Sequence, residues 1–261
     1  MNQQENSLCI FGHAVDVPSR DAHHRHMHNE YEILLFMRGS AQYRIEGSTY
    51  NLMPGDLLFI RPRIFHYLIP QDNAEYERCV VQFSDDVIPD ELRSVAATTA
   101  EIRNLPKGDS LLRVFDRVRM AQAFVTKSEM TLLTQNLIVD VLIALKYAPA
   151  DPIMRPMRRN DALADILRYI DEHPNDPLRA QVLADRFFVS RSWIEHAFRD
   201  QLGITVQQYV SKKRILYAQG LIKGGLSPTL TAEQCHYDNY ATFYRNYKKI
   251  LRHSPEEDAR R

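Results

Sequence analysis

Two histidines and two glutamates near the start of the chain have side chains well suited to metal chemistry. His26 and His28 alternate along the sequence, as do Glu30 and Glu32, so in an extended strand each pair would point to one side. Neutral imidazoles together with a carboxylate suit iron, manganese, nickel or zinc. The same polar groups could instead line a ligand pocket or hydrogen-bond to one another. The residues alone leave these alternatives open.

Short strands separated by turns are expected to position these side chains. Strand-forming residues predominate in segments 32–37, 41–45, 49–52, 57–60 and 78–83. Glycine or proline marks a turn in segments 38–40, 46–48, 54–56 and 61–63. Regular short strands with such turns predict a small β-barrel or jelly roll.

The spacing of the histidines and the glutamate resembles the two motifs of the cupin barrel. The residues that carry this resemblance are His26, His28, Glu32, Gly39, Pro54-Gly55-Asp56 and His66. In metal-binding cupins the counterparts of three histidines and one glutamate are ligands. The resemblance therefore implies a divalent metal ion held by His26, His28, Glu32 and His66.

Further along, the sequence predicts two short helices joined by a tight turn. Apolar residues recur with helical spacing in segments 178–183 and 194–202. Ser190 can cap the start of the second helix and Gly203 its end. A helix-turn-helix places such a second helix in the DNA major groove, although any two adjacent amphipathic helices would show the same pattern. The outward residues of this helix are Arg191, Ser192, Trp193, Glu195, His196 and Arg199.

A second copy of the pattern favours the DNA-binding interpretation. The residues Asn239, Phe243, Tyr247, Lys248 and Leu251 repeat, 49 positions later, Ser190, Ile194, Phe198, Arg199 and Leu202. Between the copies, segment 206–223 predicts a helix about 27 Å long, close to the DNA helical repeat of about 34 Å. This helix is expected to hold two recognition helices on one face of DNA.

The paired pattern resembles the DNA-binding domain of the AraC/XylS family of transcription regulators. The matching residues run from Leu183-Ala184 through Gly203, Tyr209 and Arg214 to Ser254-Pro255. The resemblance implies double-stranded DNA as a partner. It also implies RNA polymerase, a small-molecule effector and a second copy of the chain.

The resemblance also implies a role for each outward residue. In the first unit Ser192, Trp193, Glu195 and His196 would face bases, and Arg191 and Arg199 phosphates. In the second unit the base-facing residues would be Asn239, Tyr240, Ala241, Tyr244 and Arg245. Trp193 could instead pack under its helix. The lysines that could neutralise phosphates, or simply be solvated, are Lys212, Lys213, Lys248 and Lys249.

The second unit departs from the family pattern. Thr231 replaces an isoleucine, His236 the turn glycine and Arg252 the glycine after the recognition helix. Pro228 is expected to shorten the helix before the turn. The second unit is therefore expected to be less stable or less specific than the first.

In the sensor domains of this family a similar histidine and glutamate stretch serves an organic effector. Guanidinium groups match carboxylates, and tyrosines stack on sugar faces. The alternative is that arginines near turns face solvent. The candidate effector residues are Arg25, His28, Glu32, Tyr43, Arg44 and His66.

The composition fits a cytoplasmic protein with a DNA-contacting end. The chain is neutral, with 33 basic and 33 acidic residues, but residues 158–261 hold 17 Lys and Arg against 13 Asp and Glu. We expect no membrane span or signal peptide. Three cysteines, at positions 9, 79 and 235, are an odd number without metal-site spacing, which predicts buried, reduced thiols.

We therefore predict an α+β protein of two domains. A cupin-like barrel or jelly roll fills residues 1–100, and helices at 101–147 form a dimer contact, centred on residues 133–145, or pack on the barrel. A proline-rich linker, 148–158, leads to an all-α domain at 159–261 with two helix-turn-helix units.

The predicted function is an effector-responsive, sequence-specific transcription regulator without enzymatic activity. One alternative is a metal-dependent cupin dioxygenase or isomerase that carries a DNA-binding tail. Another is a DNA-binding adaptor that needs no effector.

Overall fold

The computed structural model describes residues 8–17, 26–71, 74–98, 102–147 and 158–260. It divides into two compact units, one of Met1–Ile45 with Thr49–Arg158 and one of Glu46–Ser48 with Arg159–Arg261. The first is rich in antiparallel strands and the second is helical, which confirms the predicted fold class. Arg25 and the prolines predicted to form a linker lie outside the described residues.

The strands of the first unit form two antiparallel sheets. One sheet has the order β1-β7-β2-β5-β8, and the other contains β6, β3 and β4 as neighbours. The five predicted strands are confirmed, whereas β1, β6 and β8 had not been assigned. The strands are β1 (Cys9–Asp16), β2 (Tyr31–Arg38), β3 (Ala41–Ile45), β4 (Ser48–Leu52), β5 (Asp56–Ile60), β6 (His66–Pro70), β7 (Tyr76–Phe83), β8 (Ile102–Asn104) and the two-residue β9 (Arg158–Arg159).

Alternation along β2 separates the two sides of the first sheet. Ile33 and Leu35 belong to one buried cluster, and Leu34 and Phe36 belong to another. The second cluster includes Tyr43 of β3 and other residues of both sheets, so it is the interior of the barrel. Successive side chains of a strand point to opposite faces, and Glu32 therefore shares the interior side with Leu34 and Phe36.

Three helices follow the strands of the first unit. They are α1 (Asp90–Thr98), α2 (Ser110–Ala121) and α3 (Lys127–Tyr147), and a short 3-10 turn, Asp85–Val87, precedes them. The buried residues of α3 belong to the same cluster as Ile33 and Leu35, so this helix covers the outer side of the first sheet. The predicted packing of the segment on the barrel is confirmed.

Helix α3 differs from the expectation that no apolar run would approach the length of a membrane span. Its 21 residues have a mean hydropathy of 1.3 in the most apolar window, enough by length and composition to cross a bilayer. Its face at Leu137, Ile138 and Val141 is fully buried. Burial of this face against the strands accounts for part of the apolar composition, since 28% of the window is buried.

The second unit consists of seven helices and one π-helical turn within residues 158–260. They are α4 (Asp161–Glu172), α5 (Ala180–Arg186), α6 (Arg191–Ala197), the π-turn Phe198–Leu202, α7 (Val206–Lys223), α8 (Pro228–Gln234), α9 (Tyr240–Leu251) and α10 (Pro255–Ala259). Ser190 accepts a hydrogen bond from the backbone N–H of Trp193, and Gly203 is left-handed with φ 69°. Both predicted caps are confirmed.

Helix α7 has the predicted bounds and is buried along much of its length. Near its start, the ring of Tyr209 packs on Phe198 of the first helix-turn-helix, with centroids 5.5 Å apart. Further along, Ile215 and Ile222 belong to one cluster with Phe243 of the second. Each buried methylene stabilises the fold by about 0.8 kcal/mol. Such tertiary contacts supply most of the stability of a helix in a protein. Both helix-turn-helix motifs therefore pack onto α7.

The positions at which the second helix-turn-helix departs from the family pattern adopt unusual backbone conformations or begin a helix. His236 and Arg252 adopt left-handed backbones, with φ of 54° and 67°, although neither is glycine. Phe188 in the first turn has φ 54° as well. The expectation for Pro228 was wrong: it is the first residue of α8, where proline is favoured, and α8 has seven residues, as α5 has.

The three cysteines are free and buried, which confirms the prediction of buried, reduced thiols. Burial raises the pKa of the Cys79 thiol to about 12 and that of Cys235 to about 11. Neither thiol is therefore ionised near neutral pH, and both behave as small apolar side chains.

Thr231 carries a stability cost that can be removed. Its side chain is fully buried, and its hydroxyl has no hydrogen-bond partner among the described residues. A buried hydroxyl without a partner costs about 1–3 kcal/mol. We predict that Thr231→Val raises the free energy of unfolding by about 1 kcal/mol, measured by urea unfolding with the fluorescence of the single tryptophan, Trp193.

Tyr247→Phe is the matched control, because it removes a hydroxyl from the same core cluster. The Tyr247 hydroxyl donates to the buried carboxylate of Asp258 at 2.6 Å, so its loss should lower the free energy of unfolding by at least about 1 kcal/mol. An unchanged or lowered urea midpoint for Thr231→Val would show that its hydroxyl is satisfied in solution.

Candidate functional site

The barrel brings three histidines and one glutamate into a single cluster. His26 forms an isolated antiparallel bridge with His66 at the start of β6, and the two backbones exchange hydrogen bonds of 3.3 and 3.0 Å. The side-chain ligand atoms of His26, His28, Glu32 and His66 all lie within 4.8 Å of one another. Within the described residues, these four side chains form the group that could hold a metal ion.

The geometry of the histidines differs from the predicted alternation on a strand. Strand β2 begins only at Tyr31, and the chain bends at Asn29 and Glu30. His26 and His28 therefore lie in an irregular segment before the strand. The bend, together with the bridge to His66, brings their rings to the interior end of β2.

Glu32 is the centre of the cluster and is almost completely buried. Its Oε2 lies 3.2 Å from Nε2 of His28 and accepts a hydrogen bond of 3.0 Å from the Gln82 amide. Its Oε1 accepts a weaker hydrogen bond of 3.4 Å from the Tyr43 hydroxyl. His66 completes the cluster, with Nε2 3.7 Å from Oε2 of Glu32.

The electrostatics keep Glu32 ionised. Burial opposes this charge, but hydrogen bonding to His28 and the facing imidazole of His66 outweigh burial and hold the pKa of Glu32 well below its usual range. Burial also lowers the pKa of His28, yet its hydrogen bond to Glu32 and the charge of that carboxylate raise it overall. Burial and the Glu32 charge together raise the pKa of Tyr43 well above its usual value. The tyrosine therefore stays a hydrogen-bond donor.

The candidate effector residues do not all lie at this cluster. Tyr43, His28, Glu32 and His66 meet there, whereas Arg44 follows Tyr43 in β3 and points to the opposite side of the strand. There its guanidinium donates to the Tyr67 hydroxyl at 3.2 Å.

Gln82 belongs to the cluster but was not predicted. It lies on β7 opposite Glu32 of β2, and its amide contacts Glu32 and His28. Strand pairing between residues 50 positions apart produces this contact. Alternation along 78–83 placed Gln82 on one face of a strand but could not identify its neighbours.

The first helix-turn-helix presents a polar face. Helix α6 buries Ile194 and Ala197. Arg191, Ser192, His196 and Arg199 are exposed, and Trp193 and Glu195 are partly exposed. The guanidinium of Arg191 donates to Glu195 at 2.9 Å. The predicted DNA-contacting residues of the first helix-turn-helix therefore share the outer side of one helical segment.

Near this face lies a groove that the sequence did not indicate. A cavity of about 350 Å³ is bounded by Arg179 at the N-cap of α5, by Arg191 and Arg199 of the α6 region, and by Gln207 of α7. Arg179 is exposed and lies within the predicted helical segment 178–183. It is not one of the periodic apolar residues of that segment, so the spacing gave no signal for it.

The second helix-turn-helix presents a polar face on α9, as the first does on α6. Asn239 caps the helix by accepting from the backbone N–H of Thr242. Phe243 and Tyr247 are buried inward. The predicted contact residues Asn239, Ala241, Arg245 and Lys248 are exposed, and Tyr240 and Tyr244 are partly buried.

Lys213 and Tyr240, which were predicted to face phosphate or solvent and a base, make contacts within the protein instead. Lys213 is buried and forms an ion pair with Asp171 of α4, so the expectation that it meets phosphates or solvent was wrong. The hydroxyl of Tyr240 donates to Glu256 of α10. This contact ties the start of α9 to the C-terminal helix.

Comparisons with known proteins agree with this arrangement. The sequence profile of the AraC-like ligand binding domain matches residues 10–137, and that of a helix-turn-helix domain matches residues 183–261. The transcriptional activator RhaS of Escherichia fergusonii is 21% identical over 245 residues, covering 89% of this chain and 86% of RhaS. RhaS of Citrobacter koseri is 22% identical over 256 residues, with the same coverage.

Among solved structures, ToxT of Vibrio cholerae is similar over 95% of this chain and 96% of its own, with 15% identity and a TM-score of 0.41. The two profiles match one unit each, the ligand-binding domain first and the helix-turn-helix domain second. The chain therefore belongs to the AraC family of DNA-binding transcription regulators.

Proposed function

We propose that this regulator is cytoplasmic and reads DNA with α6 and α9 in successive major grooves, under the control of a ligand bound in its barrel. The observation that carries the proposal is the pair of polar helix faces, each backed by buried aromatic or aliphatic residues and joined through α7. Helices of this kind read base edges with polar side chains and position themselves through phosphate contacts.

The distribution of side chains supports distinct roles within each face. Arg245 is exposed in the middle of α9, where a guanidinium can donate to O6 and N7 of one guanine. Lys248 follows one turn later and would meet a phosphate. In the first unit Glu195 can accept from a cytosine amine and His196 can donate to a guanine. Arg179 extends the phosphate-binding side towards α5.

The second helix-turn-helix would contribute fewer base contacts than the first. Tyr240 is bound to Glu256 through its hydroxyl, so reaching a base would require this hydrogen bond to break. Its partly buried neighbour Tyr244 packs against it, with ring centroids 6.3 Å apart. Arg245 would then be the main base-reading residue of the second helix-turn-helix.

The proposal includes a homodimer that forms through α3. Of the segment expected to form the contact, the residues at 137, 138, 141, 142 and 145 are buried within the first unit. A separate stripe of α3 is exposed, and its positions are spaced by four and seven residues, which is typical of a helix-pairing seam. The stripe consists of Leu132, Asn136, Ile143 and Tyr147.

The effect on transcription would be activation through contact with RNA polymerase. The name of the RhaS relatives, transcriptional activator, supports this direction. The matched profiles describe an AraC-like ligand binding domain and a helix-turn-helix domain, which favours a regulator over the alternative of a cupin enzyme with a DNA-binding tail.

Arg245→Ala is predicted to weaken binding to the duplex that the protein selects from a random pool. Loss of a bidentate guanine contact costs about 1–3 kcal/mol, so the dissociation constant should rise roughly 5- to 150-fold. Preference at one base pair should also disappear. Fluorescence anisotropy with the selected duplex and its single-base variants measures both effects.

Arg168→Ala is the control for this measurement. Arg168 is an exposed arginine of α4 that pairs with Asp165, and α4 carries neither recognition face. Its replacement should leave the dissociation constant unchanged. Equal affinities of Arg245→Ala and the unmodified protein for every duplex would remove Arg245 from the recognition surface.

Charges placed in the exposed stripe of α3 should prevent dimer formation. We predict that Leu132→Glu with Ile143→Glu sediments as a monomer at micromolar concentration, because two carboxylates per helix would face each other across the seam. Met120→Glu, at an exposed position of α2, should leave the dimer intact. A monomer for the unmodified protein, or a dimer for the double variant, would contradict the proposed contact.

A further inference from the structure

A single buried carboxylate joins three helices around the second helix-turn-helix. Asp258 of α10 is only 1% exposed. Its Oδ2 accepts a hydrogen bond of 2.6 Å from the Tyr247 hydroxyl of α9 and one of 2.9 Å from the Gln219 amide of α7. Nδ1 of His253 lies 3.5 Å from the same oxygen. Asp258 therefore connects the second recognition helix to α7, the helix on which both helix-turn-helix motifs pack.

The C-terminal helix α10 holds α9 at both ends. Near the start of α9 the hydroxyl of Tyr240 donates to Glu256 of α10, and two turns later Tyr247 donates to Asp258. Seven residues make nearly two full turns of an α-helix, so the two tyrosines lie on one face, about 10 Å apart along the axis. A helix held at two points on one face can neither slide nor rotate freely.

The hydrogen bond of Tyr247 restrains α9 more narrowly than apolar packing does. Burial of Phe243 in the core is favourable but non-directional. A rotation of about 20° moves an atom at the helix surface, about 5–6 Å from the axis, by about 2 Å. Such a movement breaks a hydrogen bond whose length is 2.6 Å. The bond to Asp258 is therefore formed at one rotation of the helix and lost at its neighbours.

The rotation of α9 decides where Arg245 points. Arg245 lies two positions before Tyr247, and at about 100° per residue the two side chains leave the helix on nearly opposite sides. Arg245 is exposed and Tyr247 is fully buried. A guanidinium that donates to two atoms of one guanine must be held to within about 0.5 Å and 10–20°. A buried contact of Tyr247 can thus control a base contact on the far side of the helix.

Stability alone does not account for the carboxylate of Asp258. Its second oxygen, Oδ1, is buried and has no hydrogen-bond partner among the described residues. Burying a charge with an unpaired oxygen costs free energy, and apolar side chains of similar volume often stabilise such a position equally well. The first helix-turn-helix has this apolar solution, because Phe198 stands at the position that corresponds to Tyr247 and packs on Tyr209. The directional contact is a feature of the second motif.

We propose that Asp258 is a positioning residue for DNA reading, which sets the rotation of α9 through Tyr247 and so aims Arg245 at its base pair. The inference rests on the proposed function, since it requires α9 to enter the major groove. Asp258 lies inside the protein and touches no base. Its replacement should therefore alter the base preference of the second helix-turn-helix and leave that of the first unchanged.

The test uses the full chain, the duplex that it selects and the single-base variants of that duplex, with affinities measured by fluorescence anisotropy. Asp258→Ala and Tyr247→Phe should each lower the discrimination at the base pair read by Arg245 at least about 5-fold, and no further than Arg245→Ala does. Glu233→Ala is the matched control, because it removes an exposed carboxylate from α8 of the same helix-turn-helix. It should discriminate as the unmodified protein does.

The double variant decides whether Asp258 acts through Tyr247. Either replacement breaks the same hydrogen bond, so Asp258→Ala with Tyr247→Phe should discriminate as Asp258→Ala alone does. Two independent structural effects would instead add. Thermal unfolding verifies that each variant is folded at the assay temperature. Tyr247→Phe keeps the buried ring, and it decides the outcome if Asp258→Ala does not fold.

Three results would overturn the proposal and leave the proposed function in place. One is full discrimination by the folded Asp258→Ala variant where Arg245→Ala has lost it. The others are additive effects of the two replacements, and an equal loss of discrimination at base pairs read by α6. An unmodified protein without base preference, or an Arg245→Ala variant that discriminates equally well, would contradict the reading of DNA by α9 and this inference with it.

Discussion

The burial of helix α7 between two helix-turn-helix units is the constraint on which the DNA-binding part of this protein depends. Tyr209 fixes one end of the helix to Phe198, and Ile215 and Ile222 fix the other to Phe243. Lys213 adds a buried ion pair with α4. A rigid helix about 27 Å long thus sets the separation of the two recognition helices. Their outward residues can then be polar and variable, because they have no part in holding the units together.

The barrel follows a similar principle with a polar centre. Glu32 is buried at the end of a strand, where an isolated carboxylate would be unstable, and it persists because Gln82, Tyr43 and His28 surround it. These partners come from two strands and one irregular segment. The cluster consequently joins both sheets at one end of the barrel, and whatever binds there acts on elements far apart in the sequence.

The sequence predicted those features whose causes are local. Caps such as Ser190 and Gly203, the bounds of α7 and five of the strands follow from spacing and from residue types with strong conformational preferences. Non-local features escaped prediction. The ion pair of Lys213 with Asp171 depends on the packing of α4 against α7. The contact of Gln82 with Glu32 depends on the pairing of β7 with β2. His26 and His28 were predicted to point to one side of a strand. In the structure a bend before β2 brings their rings together.

Hydroxyl-radical footprinting of the protein on its selected duplex tests the central claim most directly. Two recognition helices braced by α7 should protect two patches on one face of the DNA, with centres about one helical turn, or 10 base pairs, apart. A single protected patch, or two patches on opposite faces, would contradict the account, because α7 could not then be holding both units in successive major grooves.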